Sequence, residues 1–253
     1  MPVEDEALAS ATFRFYEELN DFLPDDLRRT SFAYRFFGRP TVKDCIEAIG
    51  IPHTEVDLIL VDGESVGFDF HLAAGARVAV YPVFEGFDIS TVTRLRDRPL
   101  RRTRFILDVH LGRLARYLRL LGFDSLYRND LRDDEIVAIA AGEGRVILTR
   151  DIGILKNRSV THGYWLRSQI AREQLREVFL RFDLAGSARP LTRCMACNAP
   201  LAARSRESVR GRVAGRTFEQ YDEFCECEGC GRLYWKGSHY AGLLNLVQTT
   251  CGG

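Results

Sequence analysis

Four cysteines near the end of the chain constrain its fold more than any other feature. They form Cys194-Met195-Ala196-Cys197 and Cys227-Glu228-Gly229-Cys230. In a C-x-x-C turn two thiolates reach one cation, and two such knuckles complete a tetrahedral Cys₄ set of the zinc-ribbon kind. Protein sulfurs would fill all four positions, so this Zn²⁺ is structural and chemistry is to be sought elsewhere. Disulfides are the competing reading of such pairs. No amino-terminal segment has the charged start and apolar core of a secretory signal. No apolar run approaches membrane-spanning length either. A soluble chain in the reducing cytoplasm is the expectation, and there the thiols stay free. Cys225 turns the second knuckle into C-x-C-x-x-C and can compete as a ligand. Cys45 sits in a helical-looking stretch as packing, and Cys251 lies near the end.

The formal charge of 253 residues sums to zero, but it is divided unevenly. Residues 1–90 carry 17 acidic and 7 basic side chains, a net of −10, and residues 91–253 carry 18 and 28, a net of +10. Such a division implies two domains, the basic one suited to a polyanion or simply solvated. Arginines at 94, 96, 98, 101 and 102, with Arg104 just beyond, mark residues 89–103 as a basic linker, either solvated or touching nucleic acid.

The first 88 residues read as β-β-α-β-β. Ala11–Tyr16 and Ser31–Phe37 alternate as strands. Thr41 is placed as an N-cap before the stripe Val42, Cys45, Ile46 and Ile49, and Gly50 is the stop. Glu55–Val61 and Arg77–Pro82 are further strands, with a hairpin-type turn at Asp62-Gly63. This order resembles the β-grasp fold, and more closely the ubiquitin-like sulfur carriers. Those proteins act through a free Gly-Gly carboxylate. Here the segment continues past Pro82, and the chain's Gly252-Gly253 follows the cysteine module instead. The first domain is therefore expected to bind a protein partner.

Residues 104–190 carry a βαβαβ pattern, and hence a parallel sheet flanked by helices. Phe105-Ile106-Leu107-Asp108 is a short apolar run ending in an acid, and Arg145–Asp151 is a second. A third strand is expected at 163–166 and a helix at about 168–182. Leu111, Leu114, Leu118 and Leu121 form the apolar stripe of an intervening helix stopped by Gly122. Its polar face presents Arg113 and Arg116, with Arg119 extending the basic surface. Asp133-Asp134-Glu135 opens the next helix, which ends at Gly142 and Gly144.

Asp108 and Asp151 thus both leave carboxyl ends of strands, where α/β proteins place ligands. Asp133 can complete the cluster. Gathered carboxylates repel, and Mg²⁺ or Mn²⁺ relieves the repulsion by accepting hard oxygen ligands. Such an ion can activate water for displacement at a phosphodiester. Plainer roles compete: Asp133 as an N-cap, Asp151 as turn chemistry, Asp108 as a partner for Arg113.

The run Asp108-Val109-His110-Leu111-Gly112-Arg113-Leu114-Ala115-Arg116-Tyr117-Leu118-Arg119, followed by 133–140 and Leu148-Thr149-Arg150-Asp151, resembles the PIN-like ribonuclease domain at the carboxyl end of mutator-type exonucleases. That family also ends in a zinc ribbon. Its matching segments here are 193–198 and Cys227-Glu228-Gly229-Cys230-Gly231-Arg232-Leu233-Tyr234-Trp235-Lys236-Gly237-Ser238-His239. Bacterial members often carry a sulfur-carrier-like domain in front. The resemblance implies an α/β chain organised as a β-grasp domain (1–88), the linker (89–103), a PIN-like nuclease domain (104–190) and a zinc ribbon with tail (191–253). It implies RNA as partner and substrate, with Asp108, Asp133 and Asp151 on the expected acids and Asp134 or Glu135 sharing the second role. Arg113, Arg116 and Arg150 would guide phosphates. Many PIN domains carry a fourth acid after the next strand, where this chain has Tyr164-Trp165-Leu166-Arg167-Ser168-Gln169. The rival expectation is a non-catalytic RNA-binding or adaptor protein that keeps the fold. His239 can contact RNA, replace a zinc ligand or simply pack, and Tyr234 and Trp235 can stack bases or form the ribbon's core. Nothing in the sequence fixes an oligomeric state.

Overall fold

The computed structural model describes residues 8–82, 103–237, 240–242, 244 and 245. The linker arginines before 103, His239, Cys251 and Gly252-Gly253 lie outside the described residues, as does the expected boundary near 88. The described residues fall into two compact units, one of 8–82 with 151–164, the other of 103–150 with the residues from 165 onward.

The first unit is built on a five-stranded sheet. Its strands are β1 (Ala9–Phe15), β2 (Ser31–Phe36), β3 (Val56–Val61), β4 (Glu64–Ser65) and β5 (Arg77–Pro82), in the order β2-β1-β5-β3-β4. β1 and β5 run parallel, whereas β1–β2, β3–β5 and β3–β4 are antiparallel. Period-two alternation sends Ala11, Phe13 and Phe15 into the core while their neighbours face out. Helix α1 (Val42–Ile49) covers that face with Val42, Cys45 and Ile46. Its start is a capping box. Thr41 Oγ1 accepts from the Asp44 N–H (3.1 Å), and Asp44 Oδ2 accepts from the Thr41 N–H (3.3 Å). The same unit holds segment 151–164, with the short helix α4 (Ile152–Leu155). There His53 Nε2 meets the Val160 carbonyl at 2.7 Å, and Lys156 Nζ donates to the Glu47 carbonyl at 3.1 Å.

A second, parallel sheet contains β6 (Phe105–Leu107), β7 (Ser125–Leu126), β8 (Val146–Thr149) and β9 (Gly163–Trp165), in the order β7-β6-β8-β9. β6 and β8 are buried at every residue, which is why they read as unbroken apolar runs. Helices α2 (Gly112–Leu120), α3 (Asp133–Glu143) and α5 (Ala171–Arg181) complete the βαβ crossovers and the sheet's cover. The expected stripe of α2 is buried at all four positions, 111, 114, 118 and 121. Edge-to-face rings join β6 to the end of α5, with Phe105 and Phe182 at 5.5 Å, and Phe123 to α5 at Phe179, 5.7 Å away. The sequence reading missed β7, a two-residue strand, and α4.

The cysteine module is an antiparallel sheet of β10 (Leu201–Arg204), β11 (Phe224–Cys227) and β12 (Leu233–Trp235), with helix α6 (Gly215–Gln220) between β10 and β11. It belongs to the same unit as α2, α3 and α5. Among the described residues no helix is long and apolar enough to cross a membrane.

Candidate functional site

β6 and β8 are neighbours in register, Leu107 opposite Leu148, so Asp108 and Thr149 emerge side by side at their carboxyl ends. The Asp108 N–H extends the ladder to the Leu148 carbonyl (3.1 Å). Its carboxylate is buried, and Thr149 Oγ1 donates to Oδ2 at 2.9 Å. Oδ1 accepts no hydrogen bond among the described residues. Asp108 does not pair with Arg113, as one reading allowed; the partner is a hydroxyl from the adjacent strand. Thr149 is the residue that sequence reasoning passed over. Its signal was a lone polar side chain closing an apolar strand beside another that closes in Asp.

The other candidate acids start helices. Asp151 is the N-cap of α4 and accepts the Gly153 N–H at 2.7 Å. It belongs to the first unit and Asp108 to the second. Asp133 is not the N-cap of α3 but its first helical residue; Arg132 takes the cap, and its N–H donates to Glu135 Oε2 at 2.9 Å. Glu135 thus closes the first turn of α3. Asp134 is exposed and pairs with Arg132 at 3.1 Å. Among the described residues the four knuckle cysteines are the one His/Cys/Asp/Glu group close enough to share an ion.

Arg113 and Arg116 project from α2, exposed and without an ion pair among the described residues. Arg150 is exposed at the end of β8. Arg119 departs from its expected place on the basic surface, with only 3% of it accessible. It lies on the buried side of α2 with Ala115 and Leu118, so its guanidinium must find partners inside. Those partners are the carbonyls of Ser125 (2.9 Å), Ala196 (2.9 Å), Met195 (3.2 Å) and Tyr127 (3.4 Å). Burial lowers its pKa, and the nearby sulfurs of Cys194 and Cys197 partly offset this.

Arg119 therefore ties α2 to the first knuckle, and a second clasp lies beside it. Asn198, at a positive φ of 68° that Asn tolerates, donates from Nδ2 to Asp124 Oδ1 (2.8 Å) and accepts the Ser125 N–H (3.0 Å). Arg145 adds a fork onto Asp124 at 2.8 and 3.4 Å. Gly112 opens α2 where a Cβ would stand 2.8 Å from the Tyr127 hydroxyl, which donates to the Val109 carbonyl at 2.8 Å. Bare backbone at 112 thus lets Tyr127 fix the turn that follows Asp108.

Residues 103–247 match the Mut7-C RNAse domain family. The chain belongs to that family. Residues 8–88 match the Mut7-C ubiquitin family, in agreement with the β-grasp order of the first unit. No curated protein and no solved structure matches the chain. The Mut7-C RNAse domain gives Asp108 and its surroundings the setting of a nuclease family, and its match extends over the cysteine module.

Within this Mut7-C chain the four sulfurs fit Zn²⁺. All lie within 4.8 Å of one another, with Cys197–Cys227 at 3.3 Å and Cys194–Cys230 at 3.6 Å. Thiolates about 2.3 Å from one tetrahedral ion stand roughly 3.8 Å apart. Knuckle N–H groups already point at sulfur, from Cys197 to Cys194 (3.5 Å) and from Gly229 and Cys230 to Cys227 (3.3 Å each). Burial pushes the Cys194 thiol up, but the Tyr234 hydroxyl 3.0 Å away and the N–H groups of Cys197 and Ala196 outweigh it, giving about 6. The Cys197 thiol is drawn down by the Ala199 backbone, yet burial and the crowded sulfurs push it up to about 12. A divalent cation displaces the protons such sulfurs retain. Cys225 is not in the set.

Proposed function

We propose that this chain is a metal-dependent ribonuclease that hydrolyses RNA phosphodiester bonds, with Asp108 as its central carboxylate. One observation carries the reading: a buried, hydroxyl-oriented carboxylate ends the central strand β6 of a domain in the Mut7-C RNAse family. Asp108 suits a hard cation, because Thr149 steadies one oxygen and the other has no donor among the described residues. Asp133, with Asp134 next to it in the chain, and Asp151 would supply the remaining carboxylates for Mg²⁺ or Mn²⁺. Such an ion, when bound, would supply activation of water and stabilisation of developing oxyanion charge. The chain's own part is to orient and to bind. Thr149 holds Asp108, Arg113 and Arg116 attract phosphate with no competing carboxylate among the described residues, and Arg150 extends that charge at the end of β8. Zn²⁺ on Cys194, Cys197, Cys227 and Cys230 is structural in this account, since no coordination position stays open. The ubiquitin-like domain is assigned to contact with a protein partner. A reducing cytoplasm is the compartment that suits a cysteine-ligated zinc site in this reading.

A second reading is favoured by the acids themselves. Among the described residues of the second unit, Asp108, Asp133 and Asp134 do not form a group within reach of one ion, and 164–169 offers no fourth acid. On that reading the chain binds RNA as an adaptor without cutting it. The test incubates the full chain with labelled single-stranded and structured RNAs, with no added divalent ion, with Mg²⁺ or with Mn²⁺. Chelators are avoided because they also extract structural zinc. Fragments that require the added ion support the ribonuclease. RNA retained in a salt-sensitive way but left intact under both ions supports the adaptor.

A further inference from the structure

We infer that the cysteine module forms one wall of a binding track for single-stranded RNA. The track would begin beside Asp108 and run over the first knuckle to Arg232 and Trp235. The inference rests on the ribonuclease reading for the identity of the polyanion.

Two cavities of the second unit carry it. The first, about 870 Å³, starts at Val109, directly after Asp108, and is walled by Arg113, Arg116, Met195 and Arg232. The second, about 720 Å³, shares Arg116, Met195, Ala196 and Arg232 with the first and continues to Trp235. Their shared residues make them one groove, α2 on one side and the ribbon on the other. Arg113, Arg116 and Arg232 are exposed and have no ion pair among the described residues. Arg212 also lines the second cavity, but Glu226 holds it at 2.5 Å. Three unopposed guanidinium groups along a groove are a phosphate track rather than a balanced surface.

The groove walls also select the form of the nucleic acid. Half-buried Met195, exposed Ile170 and partly exposed Trp235 add apolar surface between the charges. A duplex hides its base faces and gains nothing from such surface. An unpaired strand can lay bases on it while its phosphates follow the arginines. Because Arg119 and Asn198 clamp the knuckle to α2 and β7, the ribbon wall is fixed relative to the nuclease wall.

The test measures binding of a fluorescent single-stranded RNA oligonucleotide and of the matching duplex to the zinc-loaded full chain. No Mg²⁺ or Mn²⁺ is added, and salt is varied. Arg232→Glu and Arg116→Glu are each expected to weaken single-strand binding about tenfold. Arg232→Ala should flatten the salt slope by about 0.7, the share of one phosphate contact on a single strand. Arg216→Glu, an exposed change that lines neither cavity, should bind as wild type. Zinc content of each variant, one per chain, confirms that the ribbon is intact. Single-strand binding unchanged in Arg232→Glu overturns the ribbon's role, and equal affinity for the duplex overturns the single-strand track. Binding is read apart from cleavage. Loss of binding in Arg232→Glu, beside a wild type that cuts nothing under any ion, sustains the track and removes the nuclease. Persistent cutting with unaltered binding does the reverse.

Discussion

Replacing Asp124 with Asn removes the charge on which the sheet and the first knuckle converge. Its side chain is 16% exposed and takes Arg145 at 2.8 Å, Asn198 at 2.8 Å and Arg193 at 3.5 Å. Breaking a buried ion pair costs about 3–5 kcal/mol. Here an amide oxygen keeps one acceptor, and Arg145 retains Glu143 at 2.6 Å and the Phe105 carbonyl at 3.0 Å. The expected loss is therefore about 2–3 kcal/mol. For a unit of this size that is roughly 5–10 °C in Tm. The pH dependence checks the cause. Burial raises the Asp124 pKa, but the Arg145 and Asn198 hydrogen bonds outweigh it and hold it below the usual carboxylate value. A carboxylate lowered on folding contributes fully above its unfolded pKa, near 3.9, and loses that contribution as pH falls through the folded value. Thermal unfolding of zinc-loaded wild type and variant should thus differ by a constant amount from pH 8 to pH 5, converging only below about pH 4. A difference under 1 °C at pH 7, or one that shrinks between pH 7 and pH 5, would refute the assigned network.

Thr149→Val deletes the hydrogen bond from its hydroxyl to the Asp108 carboxylate while keeping the shape of β8. It should lower metal-dependent cleavage about tenfold with little change in RNA binding; wild-type turnover would show that the hydroxyl orients nothing. Cys227→Ser should abolish stoichiometric zinc and melt the ribbon's circular-dichroism signal, and undiminished zinc by elemental analysis would contradict the Cys₄ assignment. Gly122→Ala places a Cβ 2.1 Å from the Arg189 carbonyl at a φ of 93°. Soluble yield should collapse or stability fall by about 3 kcal/mol or more, whereas a Tm within 2 °C of wild type would show that the backbone there yields.

Much of this architecture is legible because its causes are local. The Thr41–Asp44 box lies within four residues, the stripe of α2 repeats every turn, and each C-x-x-C knuckle is its own turn. The fully apolar β6 and β8 declare themselves as buried parallel strands. What the sequence hid depends on distant partners. β7 is two residues long and is positioned by Asn198, 73 positions away from Ser125. Thr149 gains its role from a strand 41 residues earlier. Arg119 reads as one more basic residue of α2, and only the folded chain shows carbonyls from the knuckle converging on it. Asp133 reads as a cap because acids favour helix starts, yet Arg132 holds that place and Glu135 completes the turn.

The central claim is that Asp108 acts in metal-dependent cleavage of RNA. The direct measurement compares wild type with Asp108→Asn on one labelled single-stranded RNA under Mn²⁺, with zinc content and Tm recorded for both. Loss of cleavage by at least about a thousandfold, with zinc and folding retained, is the predicted result. Equal cleavage by the two proteins would contradict the account.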